Sequence, residues 1–292
     1  MTDHGILNAG VVQLAKYHGT GNDFLLLRAD TGPSRLAATD VIALCDRNTG
    51  VGADGLIEVR PGADGADCTM TLRNADGSDA QMSGNGIRAL AAFAVREGFG
   101  RGDVLVVDTA SGRRTIDLER DAQGDVIGAT VDMGPVTFDP VAIPVSTESP
   151  FELEATVHGT EYVGDAAGMG NPHFVIFVDD PDTTRVVSHG AILERDPRFP
   201  DRTNIEFVTV DPDGALRLRV FERGVGETRS CGTGACAASA VALRRGRVEN
   251  PVTVRVPGGT LQVDIGDSIR LGGPVAHVFD VEIDPTTLRR PV

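Results

Sequence analysis

The chain has 292 residues, which at about 150 residues per domain suggests two domains, and a composition of 41% hydrophobic and 24% charged residues supports a packed core rather than disorder. A net charge of −15 argues against nucleic acid as a partner, because phosphate binding needs clustered Lys and Arg. No apolar run reaches the roughly 18 residues of a membrane span, and the opening MTDHGILNAGVVQLAKYHG has no secretory pattern, so a cytoplasmic protein is expected, with no membrane partner.

In chain order, the first strand-like run is 24–27, directly after Gly19-Thr-Gly-Asn22. Ser83-Gly-Asn-Gly then opens an alanine-rich stretch that runs to Gly98 and carries little charge before its end, which predicts a buried helix. Short β-branched runs bounded by Gly, Asp and Pro predict strands at 104–108, 114–118 and 129–133. A domain boundary is expected near Gly134-Pro135, so that 1–133 and 134–275 form two domains. Gly168-Met-Gly-Asn171 precedes a further strand at 174–178, and 216–221 reads as another. Cys231-Gly-Thr-Gly opens a second alanine-rich helix ending at Gly246, and strands are predicted at 252–256, 261–265 and 277–283.

The two helix-opening segments are 148 residues apart, Ser83 to Cys231, and at that offset Gly84, Gly86, Ala89, Ala94, Arg96 and Gly98 each meet the same residue type. The two G-x-G-N segments, ending at Asn22 and Asn171, are 149 apart. Two motifs recurring at nearly one offset indicate a duplicated α/β unit of about 130–150 residues. A surplus of glycine, 36 residues, fits many tight turns and close backbone approaches.

The chemistry follows from what opens each helix. A helix N-terminus carries unpaired N–H groups and partial positive charge, so it can hold a carboxylate and lower a thiol pKa. If the halves face each other about a pseudo-two-fold axis, Ser83 and Cys231 flank one cleft and serve opposite faces of one carbon, the requirement for inverting a stereocentre. Ser83 fits a plain N-cap equally well, whereas cysteine is not a favoured cap. Cys236, Cys45 and Cys68 read as structural, and the spacings of the four cysteines match no zinc pattern. Lys16 is the lone lysine, so a pyridoxal phosphate enzyme, which needs a Schiff-base lysine, is not expected, and no metal site is indicated.

The chain resembles the diaminopimelate epimerase family. The resemblance rests on Lys16-Tyr-His-Gly-Thr-Gly-Asn-Asp-Phe24, Asp46-Arg-Asn-Thr-Gly-Val-Gly-Ala-Asp-Gly55, Arg73-Asn-Ala-Asp-Gly-Ser78, Met82-Ser-Gly-Asn-Gly86, Gly170-Asn-Pro-His-Phe174, Thr203-Asn-Ile-Glu-Phe207, Glu222-Arg-Gly-Val-Gly-Glu-Thr228 and Cys231-Gly-Thr-Gly-Ala-Cys236, in family order. It implies an α/β (α+β) fold of two similar domains, each a mostly antiparallel sheet or barrel wrapped around a central helix, with the active site in the cleft between them. The last strand returns to the first domain, adding 276–292 to 1–133. It also implies a homodimer, no cofactor, and LL- or meso-diaminopimelate as substrate.

By resemblance, substrate contacts fall on Asn22, Asn74, Asn171, Asn204, Glu222 and Arg223, and the backbone at Gly84, Asn85, Gly232 and Thr233 holds the reacting carboxylate. Arg223 suits the distal carboxylate and Glu222 the ammonium. His18 and His173 read as structural hydrogen-bonders. Two positions depart from the family. Gly55 stands where glutamine is frequent, and Ser83 stands where the family has its second catalytic cysteine. The serine leaves open an introduced substitution, a natural Ser/Cys pair as in the related proline racemase family, or altered chemistry such as elimination. An epimerase or racemase of another amino acid and a non-catalytic ligand-binding relative are the competing readings.

Overall fold

The computed structural model describes residues 11–29, 36–80, 83–284 and 287–288, with the backbone of 6–8 in addition; Met82 of the motif above lies outside the described residues. The chain divides into two compact units, Met1–Val131 with Gly273–Val292, and Asp132–Gly272.

In the first unit the strands pair in the order Ala276–Ile283, Val11–Gly19, Asn22–Arg28, Gly55–Pro61, Cys68–Asn74, Val104–Thr109, Gly112–Arg120, Val126–Asp132. Every pairing is antiparallel except Asn22–Arg28 with Gly55–Pro61 and Cys68–Asn74 with Val104–Thr109. Helix α1 (Ala38–Cys45) lies in the first parallel crossover and α2 (Gly84–Arg96) in the second. In the second unit the order is Leu153–Val157, Thr160–Gly168, Pro172–Phe177, Asn204–Val210, Leu216–Glu222, Val252–Val256, Gly259–Ile265, Ile269–Pro274. Its two parallel pairings fall at the corresponding places, with α3 (Val186–Leu193) and α4 (Gly232–Arg244) in the crossovers. The repeat seen in sequence is therefore a repeat of topology. The C-terminal strand fills, in the first unit, the edge position that Leu153–Val157 fills in the second.

Each unit wraps its sheet around one helix. Residues 84–94 of α2 are buried without interruption, and α2 packs on the strands Val11–Gly19, Asn22–Arg28, Gly55–Pro61 and Cys68–Asn74. Alanine makes this close approach possible, since a helix enclosed on every side has no room for long side chains. Both alanine-rich helices stop at glycine in left-handed conformation, Gly98 (φ 84) and Gly246 (φ 65).

The strands beneath α2 are covered on the outer face as well, where Leu25, Leu27 and Leu56 pack with Val41, Leu44 and Cys45 of α1. Two covered faces explain why residues 23–27 of Asn22–Arg28 and 204–208 of Asn204–Val210 are buried without the alternation of a strand that has one wet face. The short helices α1 and α3, eight residues each, have no sequence-level start signal. Ala37 and Arg185 stand at their N-caps and neither side chain caps; at α1, Asp40 reaches back to the Ala37 N–H at 2.8 Å instead. Packing against the sheet holds them, which periodicity cannot display at that length.

Candidate active site

Ser83 is the N-cap of α2 in extended conformation (φ −137, ψ 124), and its Oγ accepts from the Gly86 N–H at 3.0 Å. Cys231 caps α4 in nearly the same conformation (φ −124, ψ 115), with Sγ accepting from the Gly234 N–H at 3.4 Å. One backbone geometry thus presents a hydroxyl in one unit and a thiol in the other.

The surroundings of the two caps differ. In the second unit Cys231 is 6% exposed, and Thr233 Oγ1 lies 3.4 Å from its Sγ. Glu222, at the end of Leu216–Glu222, sits against the same thiol, its Oε1 accepting from Thr228 Oγ1 at 2.5 Å. Burial pushes the Glu222 carboxyl above its ordinary value, against hydrogen bonds from Thr228 and Cys231 that pull it down. Burial likewise pushes the Cys231 thiol well above the usual cysteine range, aided by the carboxyl groups of Glu222 and Glu206. The sequence expectation that the helix end lowers this pKa is therefore not met. A helix terminus is worth about 0.3–1 kcal/mol, and here desolvation plus two acidic neighbours outweigh it.

Glu206 and His173, both fully buried, form the floor of this region: His173 Nδ1 is 2.7 Å from Glu206 Oε1, and Nε2 is 2.9 Å from Asn171 Oδ1. Asn171 is thus tied to the histidine. Asn204 spends its side chain on backbone, accepting from the Arg223 N–H at 3.0 Å and donating to the Pro172 carbonyl at 2.9 Å. That fixes the turn from which Arg223 projects, exposed, with Nη1 on the Asp201 carbonyl at 2.9 Å. Gly224 N–H donates to Glu194 at 2.8 Å and anchors the same turn.

In the first unit the positions at the same offset hold different chemistry. Asn74 corresponds to Glu222, and it donates to Ser78 Oγ at 3.0 Å. Glu58 corresponds to Glu206, but it is claimed by Arg73 at 2.5 Å and by Arg60. A Cβ at Gly86, beside Ser83, would meet Ile57 and Phe24, both apolar, at 3.3 Å. Asn22 and Asn85 are joined, Asn85 Nδ2 donating to Asn22 Oδ1 at 3.2 Å. The expected carboxylate cradles, Gly84 with Asn85 and Gly232 with Thr233, form the first turns of α2 and α4. Gly55 opposes Asn74 in the sheet, where a Cβ would lie 2.7 Å from the Arg73 carbonyl oxygen. A side chain at position 55 would therefore require the neighbouring strand to shift. His18 accepts from the Gly21 N–H at 3.4 Å in the turn that follows it.

Sequence reasoning missed Glu206, Thr228 and Asp54. The first had a signal: Glu58 and Glu206 stand at the 148-residue offset of the repeat. All four cysteines are free thiols, and among the described residues no group of three or more His, Cys, Asp or Glu is placed to hold a metal ion. Among the described residues no helix is long and apolar enough to cross a membrane.

Comparison with known proteins agrees with this architecture. The family model described as diaminopimelate epimerase matches residues 14–138 and 166–275. Diaminopimelate epimerase of Desulfitobacterium hafniense is 41% identical over 276 residues, covering 92% of this chain and 96% of its own. That of Erythrobacter litoralis is 43% identical over 273 residues, covering 92% and 96%. Among solved structures, a hydroxyproline epimerase from Agrobacterium vitis superposes with a TM-score of 0.69 at 19% identity, over 94% of this chain and 92% of that one. A phenazine biosynthesis protein of the PhzF family from Bacillus anthracis gives 0.69 at 15% identity, over 94% and 99%. These two share the fold. With the ordered motifs, the duplicated topology and relatives of about 40% identity along nearly its whole length, the chain belongs to the diaminopimelate epimerase family.

Proposed function

We propose that the protein interconverts LL- and meso-2,6-diaminopimelate by removing the α-proton from one face of the carbon and returning a proton to the other, with Cys231 and Ser83 as the two proton-carrying groups. The observation that carries this reading is the pair of helix N-termini, each capped by a proton-bearing side chain, one with a carboxyl group beside it.

The buried thiol is held protonated at rest by its surroundings. In the direction where Cys231 is the base, its proton passes to Glu222, and the thiolate takes the α-proton. The C–H electron pair stays on the α-carbon and spreads into the carboxylate, whose growing charge the N–H groups at Gly84, Asn85, Gly232 and Thr233 stabilise. Ser83 accepts from the Gly86 N–H, so its own O–H is available to deliver a proton to the far face. The reverse direction retraces these steps: the protonated Cys231 delivers its proton to the carbon, the Ser83 oxygen left as alkoxide takes the α-proton, and Glu222 returns its proton to the thiolate. Arg223 pairs with the distal carboxylate, and Glu222, ionised until it takes the thiol proton, pairs with the ammonium; Asn22, Asn74, Asn171 and Asn204 complete the contacts.

The reaction uses neither pyridoxal phosphate nor a metal. Lys16 is engaged by Asp23 at 2.9 Å and by the Gly52 carbonyl at 2.5 Å, which supports excluding it as a Schiff-base residue. Free thiols support a reducing, cytoplasmic setting, and we assign a homodimer on family grounds. The test is exchange of the α-hydrogen of diaminopimelate with deuterated solvent, with binding followed by calorimetry. Exchange and binding are expected, and Arg223→Ala is expected to abolish binding while the protein stays folded. Binding unchanged in Arg223→Ala overturns the substrate assignment.

A further inference from the structure

Asn22 and Asn85 belong to a longer chain of hydrogen bonds in the first unit. At one end Arg88, fully buried in α2, donates from Nη1 to the Gly84 carbonyl at 2.9 Å and from Nη2 to Asn85 Oδ1 at 2.6 Å. Thr20 Oγ1 reaches the same Asn85 oxygen at 3.2 Å. Asn85 Nδ2 donates to Asn22 Oδ1 at 3.2 Å, and Asn22 Nδ2 donates to Asp54 Oδ2 at 2.6 Å. Asp54 Oδ2 also accepts from the Asp23 N–H at 3.1 Å, and its Oδ1 accepts from Arg47 at 2.7 Å. Arg47 is braced by Asp23, which Lys16 holds in turn.

The ends give this chain a direction. A guanidinium only donates and a carboxylate only accepts. An amide strung between them has one orientation that satisfies both neighbours. The oxygen of Asn85 must face Arg88, so its nitrogen faces Asn22; the oxygen of Asn22 must face Asn85, so its nitrogen faces Asp54. Nothing in the fold demands the arrangement, because the other half lacks it. At the 148-residue offset, Asn85, Arg88 and Asp54 are replaced by Thr233, Cys236 and Arg202.

We propose that Arg88, Asn85, Asn22 and Asp54 form a one-way hydrogen-bond relay that fixes the Asn22 amide with its oxygen withdrawn and its remaining N–H turned to the substrate, so that this contact selects a carboxylate oxygen over an ammonium. The inference rests on the reading above that Asn22 touches the substrate. Among the described residues the second N–H of Asn22 has no partner, whereas its oxygen is occupied. Asp54, Arg47 and Arg88 are then positioning residues.

The experiment is calorimetry of meso-diaminopimelate with the full-length protein and the variants Asp54→Asn, Asp54→Glu and Asn22→Ala, paired with α-hydrogen exchange at saturating ligand. In Asp54→Asn, Arg47 claims the one remaining oxygen, and the new NH2 group meets Asn22 Nδ2 and turns that amide over. The Kd is expected to rise about tenfold or more, while the saturated exchange rate changes less than about threefold. Asp54→Glu keeps an acceptor-only end and recovers most of the affinity, and the preference for diaminopimelate over its mono-amides narrows only in Asp54→Asn. A structural role alone would not produce that split or that rescue. If Asn22→Ala weakens binding about tenfold but Asp54→Asn stays within about twofold of the parent, the relay is overturned and the site reading stands. If Asn22→Ala binds as the parent does, the placement of Asn22 fails, and the relay with it. A loss of saturated rate in Asp54→Asn with no change in Kd also overturns the relay.

Discussion

At Cys231 effects of opposite sign meet. The Gly234 N–H and Thr233 hydroxyl favour thiolate; burial, Glu222 and Glu206 favour thiol, and the latter prevail. Removing the charge of Glu222 takes away one of the raising influences, so Glu222→Gln is expected to lower the pH of half-maximal alkylation of Cys231 by iodoacetamide. The same variant loses the acceptor for the thiol proton, and turnover is expected to fall by about 10²–10⁴-fold. An alkylation profile that stays in place or moves upward would show that the carboxyl does not raise this thiol. Ser83 has the opposite problem. Its counterparts of Glu222 and Glu206 are Asn74 and an arginine-bound Glu58, so neither of these two positions offers it a free carboxylate. Ser83→Cys is expected to raise LL/meso interconversion by about 10²–10⁴-fold under reducing conditions, since a thiol is far better matched to proton transfer near neutral pH. Equal or slower turnover would make the serine a working group in its own right.

At the level of elements, the two capped helices look alike and tolerate change differently. A Cβ on Gly234 would lie 2.7 Å from Glu206 Oε1 and 3.3 Å from Cys231 Sγ. Glu206 cannot withdraw, because it is fully buried and holds His173 at 2.7 Å. Gly234→Ala is expected to cost about 1–3 kcal/mol by overpacking, even after the gain in helix propensity. On Gly86 the same atom would meet Ser83 Cβ at 3.1 Å, with Ile57 and Phe24 side-chain carbons at 3.3 Å, contacts that side chains can relieve. Gly86→Ala is therefore expected to cost less. Denaturant midpoints of the two variants test the order, and a reversed order would mean that Glu206 is free to move.

Across the whole molecule, acid stability depends on carboxylates tied to arginine. Asp213 is brought down to about 2 by Arg255 and by the Ala215 N–H. Asp23 is also lowered: burial works to raise it, but Arg47 and Lys16 prevail. Because these values are depressed in the folded state, their stabilisation is complete above the unfolded value of about 3.9. It is lost as pH falls from there through the folded values, toward about 2 for Asp213. Thermal midpoints are expected to hold down to about pH 4 and then drop, with Arg255→Met dropping less steeply for lack of this pair. A steeper acid loss in that variant would contradict the assignment.

Sequence alone determined the elements whose signal is local or repeated. The G-x-G openings place Ser83 and Cys231 at helix starts because cap and glycine lie within four residues of each other. The repeat identifies the duplication because both copies kept their spacing, 148 residues apart. The family is legible for the same reason: its motifs are short and ordered. What surrounds each cap was settled only by tertiary structure. Glu206 meets His173 across 33 residues, Asn22 meets Asp54 across 32, and Asn85 meets Asn22 across 63. Such pairs arise where the parallel crossovers bring distant strands side by side, and no periodicity records them. The Cys231 thiol shows the consequence: its helix cap could be read from the sequence, but the direction of its pKa depends on burial and on two carboxyl groups that only the folded sheet brings to it.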